Sequence, residues 1–289
     1  MQTITLGDVT ITRVIEIDRS FYPTASMLPE STADAVQRHY GWIRPHFFDE
    51  RTGDIGSRIQ SYVVRTPRHT VVIDTGVGND KARHESPVWN MRQGTYLADL
   101  EAAGVKPDDV DVVITTHMHV DHVGWNTRLV GGVWVPTFPR AKYLMAGEEW
   151  EFWNYERARN HEAAVLIGDS VAPIVDAGRA VLVDTTHAID EHLSFEPWPG
   201  HTPGHAAVRL RASGGHAVFS GDLMHRVVQV AEPQWNSRFC GDGPRARQSR
   251  EAFLARYADT GTLVCAAHFP QPGYVVTEGG GRRFTPAAM

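Results

Sequence analysis

The chain has 289 residues, 42% of them hydrophobic, enough for a large buried core in one or two domains. Its net charge of −6 comes without a basic run, which argues against nucleic acid as a partner. Two cysteines make no disulfide framework and no apolar stretch reaches membrane-spanning length, so no membrane partner and a reducing cytoplasm are expected.

The opening "MQTITLGDVTITRV" lacks the pattern of a signal peptide. It alternates like a strand and predicts a hairpin around Gly7-Asp8. Residues 18 to about 60 mix aromatic and proline residues irregularly and read as an arm or cap. "SYVVRTPRHTVVIDTG" predicts a second hairpin, and "TYLADLEAAG" a helix stopped at Gly104. "DVDVVITTH" is a continuous apolar strand, buried on both faces. Residues 141 to 170 read as helical. "AVLVDTT" and "LSFEPWPGH" read as strands, and "HAAVRLRASGGHAVFSGD" as a hairpin with a Gly-Gly turn. "SREAFLARYADTG" is a helix with a glycine stop, and "TLVCAAHF" a last buried strand. Hairpin-rich sheet in both halves, with helices between, suggests two sheets packed face to face with helices outside.

The densest chemistry follows the apolar strand. "THMHVDHVGW" places three histidines and an aspartate within residues 117–122. Imidazoles have little packing value at that density, since each carries a donor and an acceptor to satisfy. A solvated His-rich loop is the plain alternative. A metal site needs further ligands elsewhere, and three other strand ends offer them: "PGHTPGH" at 199–205, "FSGD" at 219–222 and "AAHF" at 266–269. The candidates are His117, His119, Asp121, His122, His201, Asp222 and His268. Imidazole and carboxylate together suit zinc and related divalent ions. In extended chain, residues two apart point the same way, so His117 and His119 can grip one ion. Asp121 and His122 can aim at a second, and Asp222 can join two ions about 3.5–4 Å apart.

With "HMHVDH" as HxHxDH, then "PGHTPGH", "FSGD" and "AAHFP" in order, the sequence resembles the metallo-β-lactamase-fold hydrolases, over about residues 60 to 270. "GDLMH" and "AAHFPQPG" look most like the lactonase and organophosphate-hydrolase branch. The resemblance implies an α/β fold, an αββα sandwich of two packed mixed β-sheets with outer helices, here a single domain over 1–289 with residues 18–60 as its arm. It implies a first metal on His117, His119 and His201, a second on Asp121, His122 and His268, and Asp222 between them. It favours His201 over His205, which is usually structural or outside the ligand set. Asp74 in "VVIDTG" either orients a ligand or is a plain turn residue. His225 stands where lactonase-like relatives often carry a tyrosine; it is a candidate catalytic residue, the alternative being an ordinary core or surface histidine.

The implied reaction is hydrolysis of a lactone or ester with an apolar part, by a hydroxide bridging two ions, Zn2+ first with Mn2+, Co2+ or Fe2+ as substitutes. Asp121 or His225 would deliver a proton to the leaving alkoxide. Phosphotriester and thioester hydrolysis are the near alternatives, and a mononuclear iron dioxygenase of the same fold a further one. Trp42, Phe47, Phe48, Trp125, Trp134, Trp150 and Trp153 could wall an apolar pocket, although large aromatics are more often core. The expected partner is a small-molecule substrate; the arm could cap the pocket or form a homodimer contact.

Overall fold

The computed structural model describes residues 2–20 and 22–288. Two compact units are distinguished, Met1–Ile17 with Ile59–Thr185, and Asp18–Arg58 with Thr186–Met289.

The first unit is built on a seven-stranded mixed sheet. Its strands run in the order Gln2–Leu6, Val9–Ile17, Ile59–Arg65, Thr70–Ile73, Val112–Thr115, Lys142–Ala146 and Ala180–Val183. Both expected hairpins are present, paired antiparallel with Leu6 opposite Val9 and Arg65 opposite Thr70. Val112–Thr115 has a parallel neighbour on each side and all four residues buried, as a continuous apolar run requires. Tyr96 and Leu100 of helix Tyr96–Ala102, and Leu166 and Ile167 of helix His161–Ser170, join Val113, Tyr143 and Met145 in one core.

Within this unit a buried charge cluster ties the loop before residue 96 to helix His161–Ser170. Arg83 grips the Asp169 carboxylate with Nη1 to Oδ2 at 2.7 Å and Nη2 to Oδ1 at 2.8 Å. Lys81 Nζ donates to Thr127 Oγ1 at 2.8 Å and to the Asp169 carbonyl at 3.0 Å, beneath the Trp134 ring. Burial pushes the Lys81 ammonium down to about 7, with Asp169 opposing.

The second unit carries a six-stranded mixed sheet, in the order Leu193–Pro197, Ala206–Ala212, Gly215–Phe219, Leu263–Cys265, Gly273–Glu278 and Gly281–Pro286. The arm belongs here, as three short helices and a two-stranded ribbon, Phe48–Asp49 with Asp54–Ile55. Its Met27, Leu28, Ile43, Phe47 and Ile55 are buried with Phe253, Phe269 and Phe284. Helix Gly243–Tyr257 begins earlier than its apolar pattern suggests, because the Asp242 side chain accepts from the Arg245 amide at 3.0 Å and caps it.

Two sequence expectations need correction. Residues 142–146 form a strand before the helix Gly147–Glu156, a short apolar run that length alone could not separate from helix. "TLVCAAHF" is not the last strand, since the hairpin Gly273–Glu278 and Gly281–Pro286 follows it. A further hairpin, Thr127–Val130 with Val133–Pro136, turns at Gly131-Gly132. Among the aromatics proposed for a pocket wall, Trp125, Phe47 and Phe48 are core residues, while Trp42, Trp150 and Trp153 are half-buried.

Candidate metal centre

In the first unit, parallel pairing of Ile73 with Ile114 brings two strand ends together. One end leads to Asp74, the other to His117. The Asp74 carboxylate accepts from the Thr116 amide and hydroxyl, both at 2.8 Å, and from His122 Nδ1 at 2.8 Å. Thr116 Oγ1 in turn lies 3.1 Å from His117 Nδ1. Asp74 has a left-handed φ of 54°, which a turn aspartate tolerates, so the turn reading and the orienting reading both hold. Each imidazole is thereby left with its other nitrogen facing inward. His117 Nε2 and His119 Nδ1 stand 3.1 Å apart. Asp121 Oδ1 is 3.7 Å from His122 Nε2.

The ligand loop is closed onto the 74–78 loop by backbone bonds from Thr75 to His122, Gly124 to Gly76 and Trp125 to Thr75, at 2.7–2.9 Å. Residue 124 must be glycine, because a Cβ there would lie 1.9 Å from the Val77 carbonyl carbon.

In the second unit, strands Leu193–Pro197, Gly215–Phe219 and Leu263–Cys265 share one direction, and the loops after them carry His201, Asp222 and His268. Asp222 is surrounded by imidazole nitrogens: His268 Nε2 at 3.0 Å from Oδ1 and 3.2 Å from Oδ2, and His225 and His201 Nε2 at 3.1 and 3.3 Å from Oδ2. All four residues are buried. Asp222, His225 and His268 form a compact donor group by themselves. His205 is committed elsewhere: Nδ1 donates to the Trp198 carbonyl at 3.0 Å and Nε2 accepts the Asp222 amide at 3.0 Å. Both nitrogens are used for structure, as the resemblance implied. His268 Nδ1 donates to the Arg58 carbonyl at 2.8 Å, so an arm residue orients a candidate ligand. Burial pushes the His225 imidazolium down to about 4, opposed by Asp222.

These donors fit a metal. Tetrahedral zinc with bonds of about 2.0–2.1 Å spaces neighbouring donors about 3.3 Å apart. In the first unit His117 Nε2 and His119 Nδ1 stand 3.1 Å apart, and in the second three imidazole nitrogens lie 3.0–3.3 Å from the Asp222 oxygens, with imidazole against imidazole or carboxylate.

Sequence reasoning passed over two supporting carboxylates. Glu149 Oε2 accepts from the Met118 amide at 2.9 Å and Trp153 Nε1 at 3.0 Å, which fixes the turn between His117 and His119. Glu16 accepts from the Val77 amide at 2.6 Å and Trp125 Nε1 at 2.8 Å; burial raises its pKa. A carboxylate on the inward face of an apolar strand was the available signal for Glu16. Glu149 gave none, since it lies in a polar helix start. Replacing Asp74 by Ala is expected to weaken metal binding about 10- to 100-fold, the usual cost of losing a ligand's outer partner, measured by competition with a chromophoric chelator.

Residues 55–268 match the metallo-beta-lactamase superfamily, and the chain belongs to it. It is a metal-dependent hydrolase with that family's α/β fold of mixed sheets and flanking helices. A "probable metallo-hydrolase" of Mycobacterium tuberculosis is 25% identical over 240 residues, 72% of this chain and 73% of that one. An N-acyl homoserine lactonase of Azorhizobium caulinodans is 27% identical over 175 residues, 53% of this chain and 60% of its own. Among solved structures, the hydrolase AbOPH of the beta lactamase superfamily superposes with a TM-score of 0.80 at 24% identity, covering 99% of this chain and 97% of the other. AidC, a dizinc quorum-quenching lactonase in complex with a product, gives 0.75 at 21%, covering 100% and 97%. Among the described residues no helix is long and apolar enough to cross a membrane.

Proposed function

We propose that the two donor sets together hold two divalent ions, zinc first, and that the protein opens a lactone or ester whose substituent is apolar. His117, His119 and His201 hold one ion, Asp121, His122 and His268 the other, and Asp222 bridges; residues 1–289 act as one hydrolase domain with 18–60 as its arm. The observation that carries this reading is the posture of Asp222. His268 Nε2 stands 3.0 Å from its Oδ1 and 3.2 Å from its Oδ2, and His201 Nε2 stands 3.3 Å from its Oδ2, so one carboxylate meets imidazoles assigned to the two different ions. A carboxylate joining two ions needs that posture.

Bound there, the ions supply Lewis acidity and a water acidified to a pKa of about 7. The remaining work falls to the chain. Asp74 and the Arg58 carbonyl keep the Nδ1 protons of His122 and His268 on the outer side, so their Nε2 lone pairs point inward. Asp121, half-buried beside His122, carries a proton to the departing alkoxide. His225, with Nε2 at 3.1 Å from Asp222, lends a hydrogen bond or relays a proton to a carbonyl oxygen held beside that carboxylate.

The lactone preference draws support from relatives that carry the name N-acyl homoserine lactonase, and the substrate is taken to be a small molecule. Matched lactones, aryl esters, thioesters and phosphotriesters, assayed on zinc-, manganese- and cobalt-reconstituted protein, test it. The lactones should turn over fastest. Turnover confined to phosphotriesters or thioesters would replace the substrate class while keeping the metal assignment.

A further inference from the structure

The acceptors behind the candidate ligand imidazoles are graded in strength. His122 Nδ1 donates to a carboxylate, Asp74, at 2.8 Å, and His268 Nδ1 to a backbone carbonyl, Arg58, at 2.8 Å. His201 Nδ1 instead meets the thiol sulfur of Cys240 at 3.6 Å. With an ion held on Nε2 of His201, Nδ1 is the nitrogen that would keep the proton, and the sulfur is placed to accept it. Sulfur accepts weakly, a carbonyl better, and a carboxylate best because it is charged.

The thiol is held against the ring. Cys240 donates its amide to the Ser237 carbonyl at 3.1 Å, Gly241 donates to the His201 carbonyl at 3.0 Å, and Asp242 donates to the Gly200 carbonyl at 2.9 Å. Asp242 then caps helix Gly243–Tyr257, and Gly200, at a φ of +128°, packs so close that a Cβ would sit 2.2 Å from the Ala246 amide nitrogen. The segment 240–242 and the His201 loop therefore form one rigid corner on the first turn of that helix, and the sulfur is fixed where the imidazole needs a partner.

We propose that Cys240 is the positioning residue of His201, and that its soft sulfur makes the ion served by His201 the more weakly held of the two. An outer partner raises the basicity of a ligating imidazole and locks its orientation, and losing one usually costs about 10- to 100-fold in affinity. A sulfur partner belongs at the low end of that range. The ion on the side of His122 is the tighter one, because His122 and His268 donate directly to the Asp74 carboxylate and the Arg58 carbonyl, whereas Asp74 reaches His117 only through the Thr116 hydroxyl. This inference rests on the two-ion reading proposed above.

The test is a chelator titration of zinc-loaded protein, with bound zinc counted per chain, on wild type, Cys240→Val and Cys240→Ser. Wild type should release its zinc in two resolved steps. Cys240→Val, which keeps an apolar side chain and removes the acceptor, should shift the first step to about tenfold lower chelator and leave the second in place. Cys240→Ser, which keeps an acceptor, should restore most of the first step. The imidazole Nδ1 proton resonances give a second readout, with one signal displaced in Cys240→Val. If the two steps move together, or neither moves, Cys240 has no such role and the two-ion reading stands. If Cys240→Val does not fold, Cys240→Ala takes its place: a first step moved to about tenfold lower chelator counts for the proposal, and an unshifted first step counts against it. Wild type that carries a single zinc overturns the two-ion reading and this inference with it.

Discussion

Asp222→Ala is expected to lower hydrolysis by about a hundred- to a thousandfold or more and to cut bound metal. The side chain is buried and has three imidazole nitrogens within 3.3 Å, so its loss unseats all three. Removing a single well-placed charge-stabilising group from an acyl-transfer site commonly costs about a hundred- to a thousandfold. Loss of a bridging ligand also removes part of the metal site itself, which places this variant at the severe end. Asp222→Asn separates the two causes: it preserves shape and the backbone turn but not the charge. Metal analysis beside the rate decides the matter. A variant with unchanged metal content and rate would break the bridging assignment.

Asp169→Ala should be the most damaging substitution for stability, by about 3–5 kcal/mol in urea unfolding, the usual cost of stripping one partner from a buried ion pair. It would leave the Arg83 guanidinium buried without its bidentate carboxylate and strip Lys81 beside it of its main counter-charge. The pH dependence has a definite sign. Burial lowers the Lys81 pKa from 10.5 to about 7, so between those values the unfolded chain binds a proton that the folded chain does not. Wild-type stability therefore rises with pH across that window and levels off below about 7. Without Asp169 the folded-state pKa falls further, the slope extends below 7, and the deficit of the variant grows as the solution is acidified. Equal deficits at pH 6 and pH 9 would contradict this account of the cluster.

What was legible in the sequence follows physical lines. The donor types of the site could be read because imidazoles and carboxylates placed at the ends of apolar strands have no packing purpose. The central strand could be read because Val112–Thr115 is a continuous apolar run, and the hairpins because Gly7-Asp8 and Gly214-Gly215 mark turns. Lys142–Ala146 was hidden because a five-residue strand next to a helical stretch carries no periodicity of its own. The final hairpin was hidden behind a short bridge between strands, with Val264 opposite Gly273 as the register pair that joins it to the sheet.

The outer partners divide in the same way. Asp74 stood out because it closes an apolar strand. Arg58 acts through a backbone carbonyl, which side-chain identity does not reveal. Cys240 acts on His201 from 39 residues away, a pairing that exists only once helix Gly243–Tyr257 has been capped and docked against Gly200. Lys81, Arg83 and Asp169 carry no mark of pairing in the sequence, and only the fold buries them together.

The central claim is that two ions work on one substrate bond, and the most direct measurement is the rate of lactone opening as zinc is added to metal-free protein. The account predicts little activity at one equivalent, a steep rise towards two, and a plateau from two onward. A plateau reached at one equivalent, or activity that appears only with iron and consumes oxygen, would contradict it.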